Sequence, residues 1–161
     1  MFHVLIVEDH SLVAEAAAHK ISNSPRSPVI EVCATADDAL SALRSTPEKW
    51  QLILLDLNVP GAHGLSLASE LARMGLAART CILTGAERPE FEIQAVEMGF
   101  QGYLLKGGGT SVSTLEEDLS RIVAGERVFR RCGTAEQLAA PHLTKRQAQC
   151  LGLAATGLTS K

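Results

Sequence analysis

The sequence predicts an α/β fold: a doubly wound, five-stranded parallel sheet with helices on both faces. Three observations lead there. Five short apolar runs rich in branched residues recur between residues 2 and 105, and helical stretches separate them. The runs are apolar at consecutive rather than alternate positions, the pattern of strands covered on both faces.

The elements follow in order. Residues 2–7 form the first strand, stopped by Glu8-Asp9, and residues 11–22 the first helix. Ser24-Pro25-Arg26-Ser27-Pro28 punctuates the chain before the second strand, 29–34, and the second helix, 37–45. The third strand, 52–55, ends at Asp56 and is followed by a helix over 65–74. The fourth strand, 80–83, leads to a helix over 89–98, where Pro89 suits the first turn because its missing N–H is harmless there. The fifth strand, 102–105, meets Lys106 and the loop Gly107-Gly108-Gly109. In the last helix, 111–124, Val112, Leu115, Leu119, Ile122 and Val123 share one face. Alternation of this kind implies right-handed crossovers, and five strands favour the flavodoxin-like order 2-1-3-4-5. The ligand site of that order lies beyond the carboxyl ends of strands 1 and 3.

Beyond this unit, residues 1–124, an irregular linker is expected over 125–142 and a helical segment over 143–161. Thr144 can cap that helix with Gln147 three residues on, and its apolar stripe is Cys150-Leu151, Ala154-Ala155 and Leu158. Gly157 suits a left-handed stop, and Thr159 can cap a second helix. Charge changes sign at the same place. Residues 1–124 carry 9 Lys+Arg against 16 Asp+Glu, net −7, and residues 125–161 carry 6 against 2, net +4. Two functional parts follow, the second able to face nucleic acid.

Composition sets the bounds. With 161 residues, 46% hydrophobic and 20% charged, the chain has length for one domain and part of another, and its core needs no staples. The four cysteines (Cys33, Cys81, Cys132, Cys150) form no C-x-x-C pair and lack metal-site spacing with the histidines, which points to reduced thiols. The run Val4-Leu5-Ile6-Val7 is too short for a signal peptide or a membrane span, so the expected location is cytoplasmic, without a membrane.

Four strands deliver polar residues at their carboxyl ends: Glu8 and Asp9, Asp56, Thr84, and Lys106. In the order 2-1-3-4-5 these ends are neighbours, so three carboxylates cluster beside a hydroxyl and an ammonium. Two carboxylates about 4 Å apart repel by roughly 4 kcal/mol at an effective dielectric of 20, so the cluster calls for a cation. Mg²⁺ suits it, because it takes few carboxylates and leaves positions for phosphate oxygen and water. A carboxylate held this way can attack phosphorus and form an acyl phosphate, with Lys106 and Thr84 binding the transferred group.

Val4-Leu5-Ile6-Val7-Glu8-Asp9-His10, Asp56-Leu57-Asn58-Val59-Pro60-Gly61-Ala62-His63-Gly64, Leu83-Thr84-Gly85 and Gly102-Tyr103-Leu104-Leu105-Lys106 together resemble a receiver domain of two-component signalling, over about residues 2–124. The resemblance implies that Asp56 is the phosphoacceptor. It implies that Glu8, Asp9, Asp56 and the backbone carbonyl of Asn58 hold Mg²⁺, that Thr84 and Lys106 bind phosphoryl oxygens, and that Tyr103 is the switch aromatic coupled to Thr84. Glu126-Arg127-Val128-Phe129 and Leu143-Thr144-Lys145-Arg146-Gln147 with Ala155-Thr156-Gly157-Leu158-Thr159-Ser160-Lys161 resemble the NarL/LuxR type, in which a helix-turn-helix module follows the receiver.

The implied function is a response regulator, phosphorylated by a sensor histidine kinase and switching conformation to control transcription. The alternative is a receiver acting through protein contacts alone. The implied partners extend to a homodimer on phosphorylation, and to DNA through a complete helix-turn-helix. Residues 143–161 resemble only that module's opening helix, so these 161 residues are not expected to read DNA sequence by themselves. No enzyme activity is expected beyond Mg²⁺-dependent self-phosphorylation from small donors and self-dephosphorylation. A phosphatase working through an aspartyl phosphate would want an acid where Asn58 stands. A flavin-binding protein would want a phosphate loop where Glu8-Asp9-His10 repels one. Three departures from the pattern stand out: Gln147 in place of the usual Glu, three glycines after Lys106, and Ala86, which offers the attacking water no polar group.

Overall fold

The computed structural model describes residues 1–85, 88–106 and 112–129. Ala86, the three glycines after Lys106, the linker from residue 130 and the helix expected from Thr144 lie outside them. The elements are β1 (His3–Val7), α1 (Ser11–Ser22), β2 (Val29–Cys33), α2 (Ala36–Ser45), β3 (Leu52–Leu55), α3 (Ser66–Arg73), β4 (Thr80–Thr84), α4 (Pro89–Glu97), β5 (Gly102–Leu105) and α5 (Val112–Val123). Boundaries differ from the expected ones by two residues at most. α2 starts at Ala36 because Thr35 caps it, its hydroxyl accepting the Asp38 N–H at 3.1 Å. Two short 3₁₀ turns, Pro47–Lys49 and Ala77–Arg79, carry no periodic signal and were not expected.

All strand pairs are parallel, in the order β2-β1-β3-β4-β5. Alternation along the strands splits the core in two. Leu5, Val7, Ile53, Leu55, Ile82, Tyr103 and Leu105 face α2, α3 and α4, while Val4, Ile6, Leu52, Leu54, Cys81, Leu83 and Leu104 face α1 and α5. Of the expected stripe of α5, Leu119, Ile122 and Val123 are buried and Leu115 is half-buried against the same cluster.

One expectation needs correction. The second strand reads as covered on both faces, yet β2 is an edge strand, with Val29 38% and Val32 51% exposed. Its apolar residues answer to β propensity rather than to burial. The Lys49–Glu31 ion pair places charge on this edge, as open edges require.

Burial sets the expected sensitivity of each strand. Ile53→Ala, in fully buried β3, should cost about 2–5 kcal/mol. Val32→Thr, on the exposed side of β2, should stay within about 0.5 kcal/mol. Urea unfolding midpoints measure both.

Candidate functional site

The ladder of the sheet runs one step past the strands and fixes the backbone of the site. Asp56 N–H donates to Val7 O at 2.9 Å, Glu8 N–H to Cys33 O at 2.9 Å, and Lys106 N–H to Thr84 O at 2.8 Å. Val7 pairs with Leu55 and Leu55 with Ile82, so the residues following these strands emerge side by side. In a parallel sheet every strand ends on the same side, which is why one pole collects all the polar ends.

Glu8 and Asp56 are almost wholly removed from water, at 3% and 2% exposure, and Thr84 is buried beside them. The Lys106 ammonium forms an ion pair with Glu8 Oε2 and lies 3.0 Å from Asp56 Oδ2. Asp56 Oδ1 accepts the Asn58 N–H at 3.1 Å, which turns the loop after β3 back onto the carboxylate. Buried Leu57 and Val59 anchor that loop in the core. Gly61, in the left-handed region at φ +89°, lets it continue against Ala36, where a Cβ would stand 3.3 Å from that side chain.

The structure thus brings together Glu8, Asp9, Asp56 and Lys106, with Thr84 on the adjoining strand end. Glu8, Asp9, His10 and Asp56 each offer one ligand atom, all within 4.8 Å of one another. His10 was not singled out in the sequence. Its Nδ1 lies 3.0 Å from Glu8 Oε1 and 3.1 Å from Asp9 Oδ1, and its N–H donates to Glu8 Oε1 at 3.0 Å. The available signal was its place as the third polar residue in a row after β1. When all are ionised, three carboxylates against one ammonium leave two negative charges, and three of the four possible donors are hard carboxylate oxygens. That set fits a divalent cation such as Mg²⁺.

Tyr103 lies on β5, three residues before Lys106, and is buried. Burial pushes its phenol up to about 12, the nearby Glu92 and Glu90 add to this, and a hydrogen bond with the Arg88 backbone acts the other way. That bond ties the phenol to the start of α4. The described cysteines, Cys33 and Cys81, are free thiols whose titration burial moves upward, so both are poor nucleophiles. Among the described residues no helix is long and apolar enough to cross a membrane.

A 2-1-3-4-5 parallel sheet carrying its polar cluster at the carboxyl pole defines the CheY-like receiver fold. The response regulator receiver domain family matches residues 4–114, and the chain belongs to that family. NarP, a nitrate/nitrite response regulator of Escherichia coli, is 32% identical over 99% of this chain and 77% of its own length. YvfU, an uncharacterized transcriptional regulatory protein of Bacillus subtilis, is 31% identical over 100% and 79%. Among solved structures, a LuxR-family two-component response regulator from Aurantimonas superposes with a TM-score of 0.64, at 27% identity, over 78% of this chain and 87% of that one. The chain is therefore a receiver of NarL/LuxR-type regulators, consistent with two-component signalling.

Two outcomes follow from this geometry. Lys106→Met leaves Glu8 and Asp56 buried without their counter-charge and should cost about 3–5 kcal/mol. Adding Asp56→Asn should recover part of that loss, giving a coupling of at least about 1 kcal/mol in urea unfolding. Tyr103 is the only tyrosine in the chain, so alkaline phenolate absorbance reports on it alone. Its folded pKa stands above the unfolded one, so its contribution to stability is complete below about pH 10 and is lost as pH rises towards about 12. Stability of Tyr103→Phe should fall less across that window.

Proposed function

We propose that this chain is a phosphorylation-controlled switch, accepting a phosphoryl group on Asp56 from a sensor histidine kinase and passing the change on to transcription. The observation that carries the reading is Asp56 itself. It is a buried carboxylate gripped at one oxygen by Lys106, at 3.0 Å, and at the other by the Asn58 N–H, at 3.1 Å, among further acids.

The transfer is simple in its electron flow. An Asp56 carboxylate oxygen attacks the phosphorus of a phosphohistidine, an O–P bond forms, and the P–N bond breaks with its electron pair leaving on the imidazole. Glu8, Asp9, Asp56 and the Asn58 carbonyl would hold Mg²⁺, which supplies positive charge to the phosphoryl oxygens. Lys106 already sits against the accepting carboxylate and hands one of its hydrogen bonds to the arriving group. The Thr84 hydroxyl donates to another of its oxygens.

Charged hydrogen bonds contribute roughly 1.5–3 kcal/mol each. Two therefore approach the roughly 5.5 kcal/mol that moves a switch from 1:99 to 99:1. Lys106 exchanges carboxylate partners for phosphoryl oxygen, so its net share lies below that range. Movement of Thr84 acts on Tyr103 across the β4–β5 pair, where Thr84 is in register with Leu105. In this reading the chain is a phosphoacceptor and no more of an enzyme than its self-phosphorylation and self-dephosphorylation make it. Residues 143–161 open the helix-turn-helix output. NarP and YvfU, regulators matched along 99% and 100% of this chain, support transcription as that output.

Acetyl phosphate with Mg²⁺ should add one phosphoryl group to the wild type by intact mass, and none to Asp56→Asn, whose amide does not attack phosphorus. Equal incorporation in the variant would remove Asp56 from the role.

A further inference from the structure

We infer that residues 126–129 form a latch on the open edge of β5, coupling the state of the Asp56 pocket to the chain that follows. The inference rests on the phosphoacceptor reading and assigns this segment a role that a plain linker lacks.

The segment is built onto the sheet. Gly125, at φ +96°, ends α5 and turns the chain back, with Glu126 N–H donating to Arg121 O at 3.0 Å. Val128 then runs parallel to β5, its N–H donating to Gln101 O at 3.0 Å while Tyr103 N–H donates to Val128 O at 3.0 Å. The Gln101 side-chain amide clamps the junction, donating to Ile122 O at 2.7 Å and Glu126 O at 3.0 Å. The Arg127 guanidinium donates to Phe100 O at 3.1 Å and lies over the Phe129 ring. Like a strand, the segment sends Val128 to the α1–α5 side of the core and Phe129 to the side that holds Tyr103, at 5% and 8% exposure.

Gly102 is shaped for this contact. A Cβ there would stand 2.8 Å from Val128 O, 2.8 Å from Ile122 Cδ1 and 3.1 Å from Cys81 Sγ. No side chain fits while the latch is docked.

The coupling is direct. Tyr103 holds the latch by its backbone and shares a core cluster with Phe129, and Lys106 directly follows its strand, three residues on. Two backbone hydrogen bonds to β5, the Gln101 and Arg127 side-chain bonds and two apolar side chains are a small holding force, of the order that local opening overcomes. A shift of β5 as Lys106 changes partners, or of Tyr103 as Thr84 moves, reaches Val128 through one hydrogen bond. Linkage makes the effect reciprocal: loosening the latch changes the affinity of the pocket for a phosphoryl group.

The test uses the whole chain with Mg²⁺ and beryllofluoride, followed by fluorine NMR for binding and by amide hydrogen exchange. Beryllofluoride should change the protection of the Val128 and Tyr103 amides at least several-fold. Gln101→Ala and, independently, Arg127→Ala should shift its apparent affinity by about 5-fold or more. Bound beryllofluoride with unchanged protection at both amides, and wild-type affinity in both variants, would overturn the latch alone. No bound fluoride signal in the wild type would overturn the phosphoacceptor reading and the latch with it.

Discussion

A single ammonium stands between two carboxylates that have almost left water, and the carboxyl pole of the sheet is organised around it. Removing an ionised carboxylate from water costs several kcal/mol, and Glu8 and Asp56 both meet that cost without a water shell. Lys106 offsets it only because β5 brings its backbone to the right height, through the bond from Lys106 N–H to Thr84 O. The fold and the site therefore depend on each other. The strand ends position the charges, and the charges hold the ends of β1, β3 and β5 in one plane.

Most of the sheet was legible in the sequence, for a physical reason. A strand covered on both faces must be apolar at every position, and runs such as Leu52-Ile53-Leu54-Leu55 admit few other readings. Polar residues break such runs only where the chain leaves the core, so Glu8, Asp56 and Lys106 marked the pole directly. The expected order already put β2 at the edge, but its exposure escaped because Val29 and Val32 look like core residues whether or not anything covers them. Other features escaped because they depend on partners distant in sequence. His10 acquires meaning from the two carboxylates its ring meets, and Gly102 from the segment that arrives 26 residues later. Val128 and Phe129 follow a glycine in a short stretch with no helical period, which is how a linker also reads.

The charge distribution takes on a local sense once the structure is known. Part of the acidic excess of residues 1–124 stands where it matters most, at a cluster that Lys106 neutralises only in part. Two further positive charges, those of one divalent cation, would complete the balance, and an anion arriving alone meets repulsion. In the proposed switch, cation and phosphoryl group would thus be thermodynamically linked, each improving the site for the other.

The docked Val128 also changes the sheet's relation to its neighbours. A five-stranded open sheet has two free edges, and each is a template on which a further strand can grow. Here Val128 occupies part of the β5 side, and among the described residues β2 is the edge on which no further backbone pairs. Strand addition at one edge stops at a pair, because the two partners use up each other's only template. With both edges open, addition has no stopping point and runs on as a filament. The Val128 bridge therefore favours strand addition at the β2 edge, where it is bounded, over open-ended growth from both edges.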